Sequence, residues 1–295
     1  MSSVNYGGQA VIEGVMMRGP QAWAVAVRRS DQTIALDLNP LNSVLDRAPF
    51  LKWPFLRGVA VLGESLVIGI KALTYSAEQA AGEEEEIKGW EMGLTLLAAL
   101  ALAVFLFVVI PTGITHYLAA GVSGSLAQNV IEGILRLAVF LGYVLVIGRL
   151  PDIKRVFEYH GAEHKVINAY EAKETLTVKN VQKYSTFHPR CGTSFLLIVL
   201  VFSIFLFSLL PAGSALWWRI ASRILILPVL AGLAYEMLKL SARYPGFVLS
   251  RLFIIPGRWL QGLTTGQPGD DQVEVAIRAL TAVLQKEGEG KCSLS

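Results

Sequence analysis

One polar segment in the middle of the chain holds three of its four histidines. Its motifs are His160-Gly-Ala-Glu163-His164 and His188-Pro-Arg-Cys191. Two imidazoles four residues apart on a helix can direct their nitrogens at one divalent metal ion. The order H-x-x-E-H is the inverted form of a zinc-protease helix, in which the glutamate acts on the water that zinc activates. These residue types predict a site for a divalent metal ion, with zinc as the expected ion.

A helix from Ile153 to Lys173 is predicted, because Pro151-Asp152 is a helix start and no proline follows. At about 100° per residue, His160 and His164 lie roughly 40° apart on this helix, with Glu171 between them in angle and Glu163 about 60° to one side. The full set of predicted residues comprises His160, His164, His188, Cys191 and Glu171 as metal ligands, Glu163 as general base, and Arg190 or Lys165 as groups that stabilise negative charge.

The sequence is compatible with two kinds of metal site. Four protein ligands would form a closed structural zinc site, whereas three ligands plus water would form a catalytic site for hydrolysis. A peptide, a lipid head group or another phosphorylated species would each suit such a hydrolase. The alternative functions are a scaffold or assembly factor with a structural metal and, third, a transporter subunit that uses Glu132 and Arg136 inside an apolar segment.

The composition predicts a membrane protein. The chain is 53% hydrophobic and 17% charged with a mean hydropathy of +0.50, whereas soluble domains carry roughly 25% charged residues. About 20 apolar residues are needed to cross a bilayer. Four segments qualify: Gly93–Ile114, Asn129–Gly148, Thr193–Pro211 and Ala215–Met237. The predicted fold class is a polytopic α-helical membrane protein with about four transmembrane helices, interfacial helices and a small α+β cytosolic portion.

The distribution of basic residues predicts the orientation. Neither Thr115–Gln128 nor Ala212–Trp218 contains a lysine or arginine, whereas the segment 149–192 contains eight. The positive-inside rule then places both termini and the central segment in the cytosol. Arg219 and Arg223, near the start of the last span, are expected to extend to the membrane interface.

The predicted organisation has five parts: an N-terminal cytosolic region (1–92), two spans (93–148), the cytosolic loop with the metal site (149–192), two further spans (193–238) and a cytosolic C-terminal part (239–295). Smaller elements are a tight glycine-rich loop over 7–20, a β-hairpin over 23–38, a membrane-surface helix over 55–75, an acidic linker at 83–86, an interfacial segment over 244–261 and a surface helix over 271–286.

Several partners are excluded by what the sequence lacks. The net charge of +3 comes without a basic block, so no nucleic-acid partner is expected. The glycine-rich segment lacks the Gly-x-x-x-x-Gly-Lys pattern, so no nucleotide is expected. The two cysteines, Cys191 and Cys292, form no disulfide framework. The expected partners are the lipid bilayer and either other membrane proteins or further copies of the chain.

Three strings resemble the bacterial YqhQ family of membrane proteins, which carry the domain of unknown function 1385. They are Gly7–Pro20, His160–Lys165 and His188–Phe195, and they follow the family's order across nearly the whole chain. The resemblance implies a multi-pass bacterial membrane protein that acts as a metal-dependent enzyme.

Overall fold

The structure is a computed structural model, and it describes residues 6–81, 89–118, 122, 124–210, 215–243 and 248–288. The predicted acidic linker at 83–86 and Cys292 lie outside these ranges. The strands are β1 Gly7–Val11, β2 Gly14–Arg18, β3 Ala22–Arg28 and β4 Ile34–Pro40. The helices are α1 Val44–Arg47, α2 Leu56–Ala81, α3 Gly89–Val104, α4 Ile110–Leu118, α5 Ser125–Ile147, α6 Pro151–Glu171, α7 Val178–Val181, α8 Gly192–Ser208, α9 Leu216–Arg243, α10 Val248–Thr264 and α11 Asp270–Lys286. A 3₁₀ turn covers Pro49–Lys52, and a π-helical segment, Phe105–Val109, joins α3 to α4.

The four strands form an antiparallel sheet in the order β1-β2-β3-β4. The predicted hairpin over 23–38 is confirmed as β3 and β4. The prediction of a tight loop over the glycine-rich segment is wrong, because β1 and β2 occupy it and pair with each other. In β2, Val15, Met16 and Met17 are all buried, so this strand lacks the apolar–polar alternation by which a half-buried strand is recognised.

Helices cover both faces of the sheet. Val15, Met17 and the alanines of β3 pack with α6 and α11 on one face. Met16, Trp23, Val25 and Val27 pack against Ile68 and Ala72 of α2 on the other face. Two predictions change as a result. Helix α2 packs on the sheet rather than only on a membrane surface, and α11 is a core helix whose apolar face is fully buried.

Three helical segments are long and apolar enough to cross a bilayer: Gly89–Leu118, Leu126–Ile147 and Leu216–Leu240. The predicted third span is α8, an apolar helix of 17 residues. At 1.5 Å per residue it is about 25 Å long, against a hydrocarbon core of about 30 Å. The apolar bundle, defined here as the chain from α3 to α5 together with α8 and α9, packs α5 against α4 and α8, and α8 against α9.

The backbone after α10 crosses helix α6 at Gly161. The N–H of Gly266 donates to the carbonyl oxygen of Phe157 over 2.7 Å. A methyl group built on Gly161 would overlap the carbonyl oxygen of Gly266. Glycine at position 161 is therefore what allows the chain to pass from α10, beside the bundle, to α11 in the core of the sheet region.

We expect Gly161→Ala to destabilise the protein by about 1–3 kcal/mol, because the added methyl group must displace a backbone segment. The measurement is the thermal unfolding midpoint in detergent. The matched control is Gly63→Ala, at an exposed site in α2 with no atom within 4 Å of the added methyl group. That control should keep or raise stability, because alanine favours helix over glycine. Equal midpoints for the two variants would contradict the proposed crossing contact.

Candidate metal centre

Three of the predicted ligands converge at the start of α8. The candidate ligand atoms of His160, His164 and Cys191 all lie within 4.8 Å of one another. Nε2 of His160 is 3.2 Å from Sγ of Cys191. Ligand atoms of a tetrahedral zinc ion lie roughly 3.5 Å apart, so a small closing movement would bring this group to zinc distances. These three residues are called the His–His–Cys group below.

Backbone carbonyls orient both imidazoles. Nδ1 of His160 is 2.9 Å from the carbonyl oxygen of Thr264, and Nδ1 of His164 is 2.5 Å from that of Thr186. A carbonyl only accepts, so each Nδ1 carries a proton, and in the neutral ring Nε2 is then the nitrogen that can bind a metal ion. A hydrogen bond of this kind from the second ring nitrogen is the usual support of a metal-ligating histidine.

Cys191 is the N-cap residue of α8, and its Sγ accepts from the backbone N–H of Thr193 over 3.4 Å. The positive end of a helix dipole favours a thiolate, which is the form that binds metal. The side chain is 6% exposed. The sulfur atom is therefore buried at the N-terminal end of α8, beside His160.

His188 lies beside the group without belonging to it. Its ring centroid is 5.8 Å from that of His164. Nε2 of His188 lies 3.5 Å from Oε2 of Glu171 and has no hydrogen-bond partner among the described residues. Glu171 also pairs with Arg190, and His188 and Arg190 together hold the pKa of Glu171 below its usual range. Glu171 thus faces His188 and Arg190 instead of the metal group.

Glu163 is buried on the side of α6 that meets β1. Gly8 of β1 lies close to its side chain. Burial raises the pKa of Glu163 to about 7, although the nearby imidazole of His160 and the backbone N–H of Gly8 act in the opposite direction. A carboxylate with a pKa near neutrality can both accept and release a proton at working pH.

Two other charged residues near α6 serve different contacts. Nζ of Lys165 donates to the carbonyl oxygen of Gln182 over 2.8 Å, and burial lowers the pKa of this lysine. Glu13, in the turn between β1 and β2, pairs with Arg155 at the start of α6. Neither side chain lies in the His–His–Cys group.

The His–His–Cys group opens into a cavity of about 420 Å³ between the sheet region and the apolar bundle. Its walls include His160, Glu163, His164, His188, Arg190, Cys191 and the Gly7–Gln9 stretch of β1. Leu196 extends the wall onto the first turns of α8. The volume lies within the range of small-molecule sites.

Comparison with known proteins identifies the family of this chain. The family model described as "Protein of unknown function (DUF1385)" matches residues 53–286. The chain belongs to the DUF1385 family. It is also 38% identical over 296 residues to "Uncharacterized protein YqhQ" of Bacillus subtilis (strain 168), with 96% of this chain and 93% of the relative covered. No solved structure matches it.

The structure of this DUF1385 chain also contains a second charged group, in the interior of the apolar bundle. The predicted pair of Glu132 and Arg136 is present, with Arg136 Nη2 2.8 Å from Glu132 Oε1. The expectation that Arg219 and Arg223 extend to the membrane interface is wrong, because each is 1% exposed and donates to Glu132. The carboxylate supplies charged acceptors inside the bundle, so the arginines turn inward. These four residues are called the Glu–Arg cluster below.

Sequence reasoning missed the residues of α10 that support the metal group. The side chain of Gln261 accepts from the His188 backbone N–H over 3.1 Å and donates to the His188 carbonyl over 3.0 Å. It also donates to Ser194 Oγ over 3.1 Å. A buried glutamine next to apolar residues is a recognisable signal, but its partner lies 73 residues earlier in the chain and cannot be read from local spacing.

We expect Gln261→Leu to weaken zinc binding roughly tenfold or more, because the His188–Cys191 turn would lose its support and leave two buried backbone groups unpaired. Competition with a chromophoric chelator measures the affinity. The matched control is Gln285→Leu, an exposed position on α11, which should bind zinc as the unaltered chain does. Unchanged affinity in Gln261→Leu would show that α10 does not support the site.

Proposed function

We propose that this protein is a multi-pass protein of the bacterial cytoplasmic membrane that holds a zinc ion in the His–His–Cys group and carries out metal-dependent hydrolysis at the cytosolic surface. The observation that carries the proposal is the convergence of two carbonyl-oriented imidazoles and one thiol in a cavity that also contains Glu163.

Exposed apolar surface supports the membrane location. In the segment Gly89–Leu118, the most apolar window has only 6% of its residues buried inside the protein. Trp217 and Leu225 of α9 are 69% and 75% exposed. Apolar surface of this extent needs a lipid environment. The basic residues of 149–192 lie at the end of the bundle that carries the His–His–Cys group, so the positive-inside rule places the cavity on the cytosolic side.

The donor set suits zinc. Imidazole nitrogen and thiolate sulfur are the ligand types that zinc prefers, and a site with three protein ligands is typical of catalytic zinc. When bound, zinc supplies Lewis-acid activation of water. No fourth His, Cys, Asp or Glu joins the group in the part of the chain that the structure describes. An open position facing a cavity favours hydrolysis over a closed structural site.

Glu163 is the proposed general base. It lines the same cavity as the two ligating histidines, and the N–H of Gly8 lies near its carboxylate. It would take the proton from the attacking water and later deliver that proton to the leaving group. Arg190 also lines the cavity and could stabilise negative charge that develops on the substrate.

The scaffold alternative uses the same residues in a closed site. His188 would then have to turn its Nε2, which has no hydrogen-bond partner among the described residues, away from Glu171 and toward the metal. The site would have four protein ligands and no water, and Glu163 would have no chemical task. The ligand count at the metal therefore separates the two functions.

We expect purified protein to contain about one equivalent of zinc, because the three ligands converge at one point. Elemental analysis of His160→Ala combined with His164→Ala should show its loss, whereas His116→Ala, outside the site in α4, should retain it. Glu163→Gln should keep the metal. X-ray absorption should show two nitrogen ligands, one sulfur and one light atom from solvent. A third nitrogen from His188 and no solvent ligand would favour the scaffold, and protein without metal after purification with zinc supplied would contradict both.

One contact favours a second candidate function, a cysteine hydrolase that works without metal. The lone pair of His160 Nε2 faces Cys191 Sγ at 3.2 Å, and Cys191 caps a long helix. His160 could take the thiol proton while Sγ bonds to a substrate carbonyl. The leaving group would depart with that proton, and water would then cleave the thioester.

In this second case, we expect His160→Ala to slow alkylation of Cys191 by iodoacetamide roughly tenfold or more in metal-free protein, because the thiol would lose its base. His164→Ala is the matched control and should leave the rate unchanged. Peptide mass spectrometry measures the rate, with Cys292 as an internal reference thiol. Equal effects of the two variants, or stoichiometric zinc in the isolated protein, would contradict the cysteine mechanism.

A further inference from the structure

The Glu–Arg cluster lies at the end of the apolar bundle remote from the His–His–Cys group. Arg136 Nη1 donates to Oγ of Ser203 over 3.1 Å, and Ser203 is twelve residues beyond Cys191. At 1.5 Å per residue, the two sites are about 18 Å apart along α8. If the chain spans the membrane as proposed above, on which this inference rests, the cluster lies in the extracytoplasmic half of the bilayer.

The charges of the cluster do not balance. Three guanidinium groups surround one carboxylate, and all four side chains are at most 5% exposed. Arginine keeps its proton in proteins, so the cluster carries a net charge of +2 among the described residues. The other polar side chains and carbonyls that contact it in the described part of the chain are neutral: the hydroxyls of Thr112, Ser203 and Ser222, the Asn129 amide and the Phe107 carbonyl. A buried unpaired charge is costly, so the cluster requires anionic charge from outside these residues.

One donor in the cluster is unused. Nε of Arg219 is buried and has no hydrogen-bond partner among the described residues. Arg219 lies in the first turn of α9, and α5 also begins at this end of the bundle.

We infer that the Glu–Arg cluster binds a phosphate group, carried by an amphiphile that enters from the extracytoplasmic leaflet. The planar fork of arginine matches phosphate oxygens, and the charge of +2 matches a phosphate monoester, which carries roughly −1.5 to −2 at neutral pH. A lipid head group is the favoured source, because the cluster is enclosed by apolar helices. Free inorganic phosphate is the other source of the same chemistry.

The test uses the full chain, delipidated in detergent, and two lipids that differ only in the phosphate: dioleoylphosphatidic acid and dioleoylglycerol. Native mass spectrometry should show saturable binding of the phosphatidic acid and none of dioleoylglycerol. Arg219→Gln should weaken that binding roughly tenfold or more, since a charged hydrogen-bond donor is lost. The matched control is Arg57→Gln, which breaks the ion pair with Glu236 outside the cluster and should leave phosphatidic acid binding unchanged.

A second variant, Glu132→Gln, separates a loss of phosphate binding from a loss of protein stability. It removes the only negative charge of the cluster, so phosphatidic acid should bind more tightly, opposite to the effect of Arg219→Gln. In both variants, zinc content reports whether the metal centre is folded. Recovery in the membrane fraction reports whether the protein is inserted in the membrane. A membrane-bound, zinc-loaded protein that binds neither phosphatidic acid nor inorganic phosphate would overturn only the phosphate site.

A binding measurement with inorganic phosphate tests whether the ligand is a free ion or a lipid head group. Binding of inorganic phosphate that also depends on Arg219 would support the site with a free ion as its ligand. Binding of phosphatidic acid alone would support the lipid head group. Equal binding by wild type and Arg219→Gln would overturn the inference. So would a dimer that forms without lipid and is lost in Arg219→Gln, because a second copy would then supply the missing charge.

Discussion

The crossing of α6 by the backbone at 264–266 is the contact on which the rest of the molecule depends. Gly161 lies directly beneath Gly266, so the chain can pass close to the helix axis. This passage places the Thr264 carbonyl on His160 and, a few residues later, directs α11 into the core of the sheet region. One close backbone contact thus couples the packing of the sheet region to the orientation of a candidate metal ligand. The glycine inside the histidine motif is a structural requirement of that motif.

The glycine-rich N-terminal segment acts on the same site from the opposite side. Gly8 lies so close to α6 that a side chain there would overlap Glu163 and the neighbouring strand. Its backbone N–H lies near the Glu163 carboxylate, which is otherwise shielded from water. Because desolvation opposes ionisation, burial raises the pKa of Glu163, and the His160 imidazole together with this backbone N–H moderates that upward shift. The glycine-rich N-terminal segment and the His160–His164 motif therefore line two walls of one cavity.

Helix α8 connects two sites of different chemistry. Its first turn carries the thiol of the His–His–Cys group, and its last turns carry the Ser203 hydroxyl and the Phe207 ring that contact the buried arginines. In the bundle interior, hydrogen bonds to Glu132 from four other residues of the bundle replace the water that charged groups would otherwise need. The charged residues that interrupt the apolar segments therefore pack together as one ionic group. They do not extend separately to the membrane surface.

Sequence patterns alone predict the helices of the apolar bundle, the hairpin of β3 and β4, the helix that carries His160 and His164, and the ligand-like motif that contains Cys191. These features depend on local periodicity and spacing, which the order of residues records directly. Long-range packing instead explains why His188 faces Glu171, why Gln261 and Thr264 support the metal group, and why Arg219 and Arg223 turn toward Glu132. Each of these contacts joins residues that are distant in sequence, and each was decided by which buried polar group could find a partner. The strand β2 was missed for a related reason, since burial on both faces removes the alternation that reveals a strand, and β1, with the sequence GGQAV, has too few apolar residues to show one.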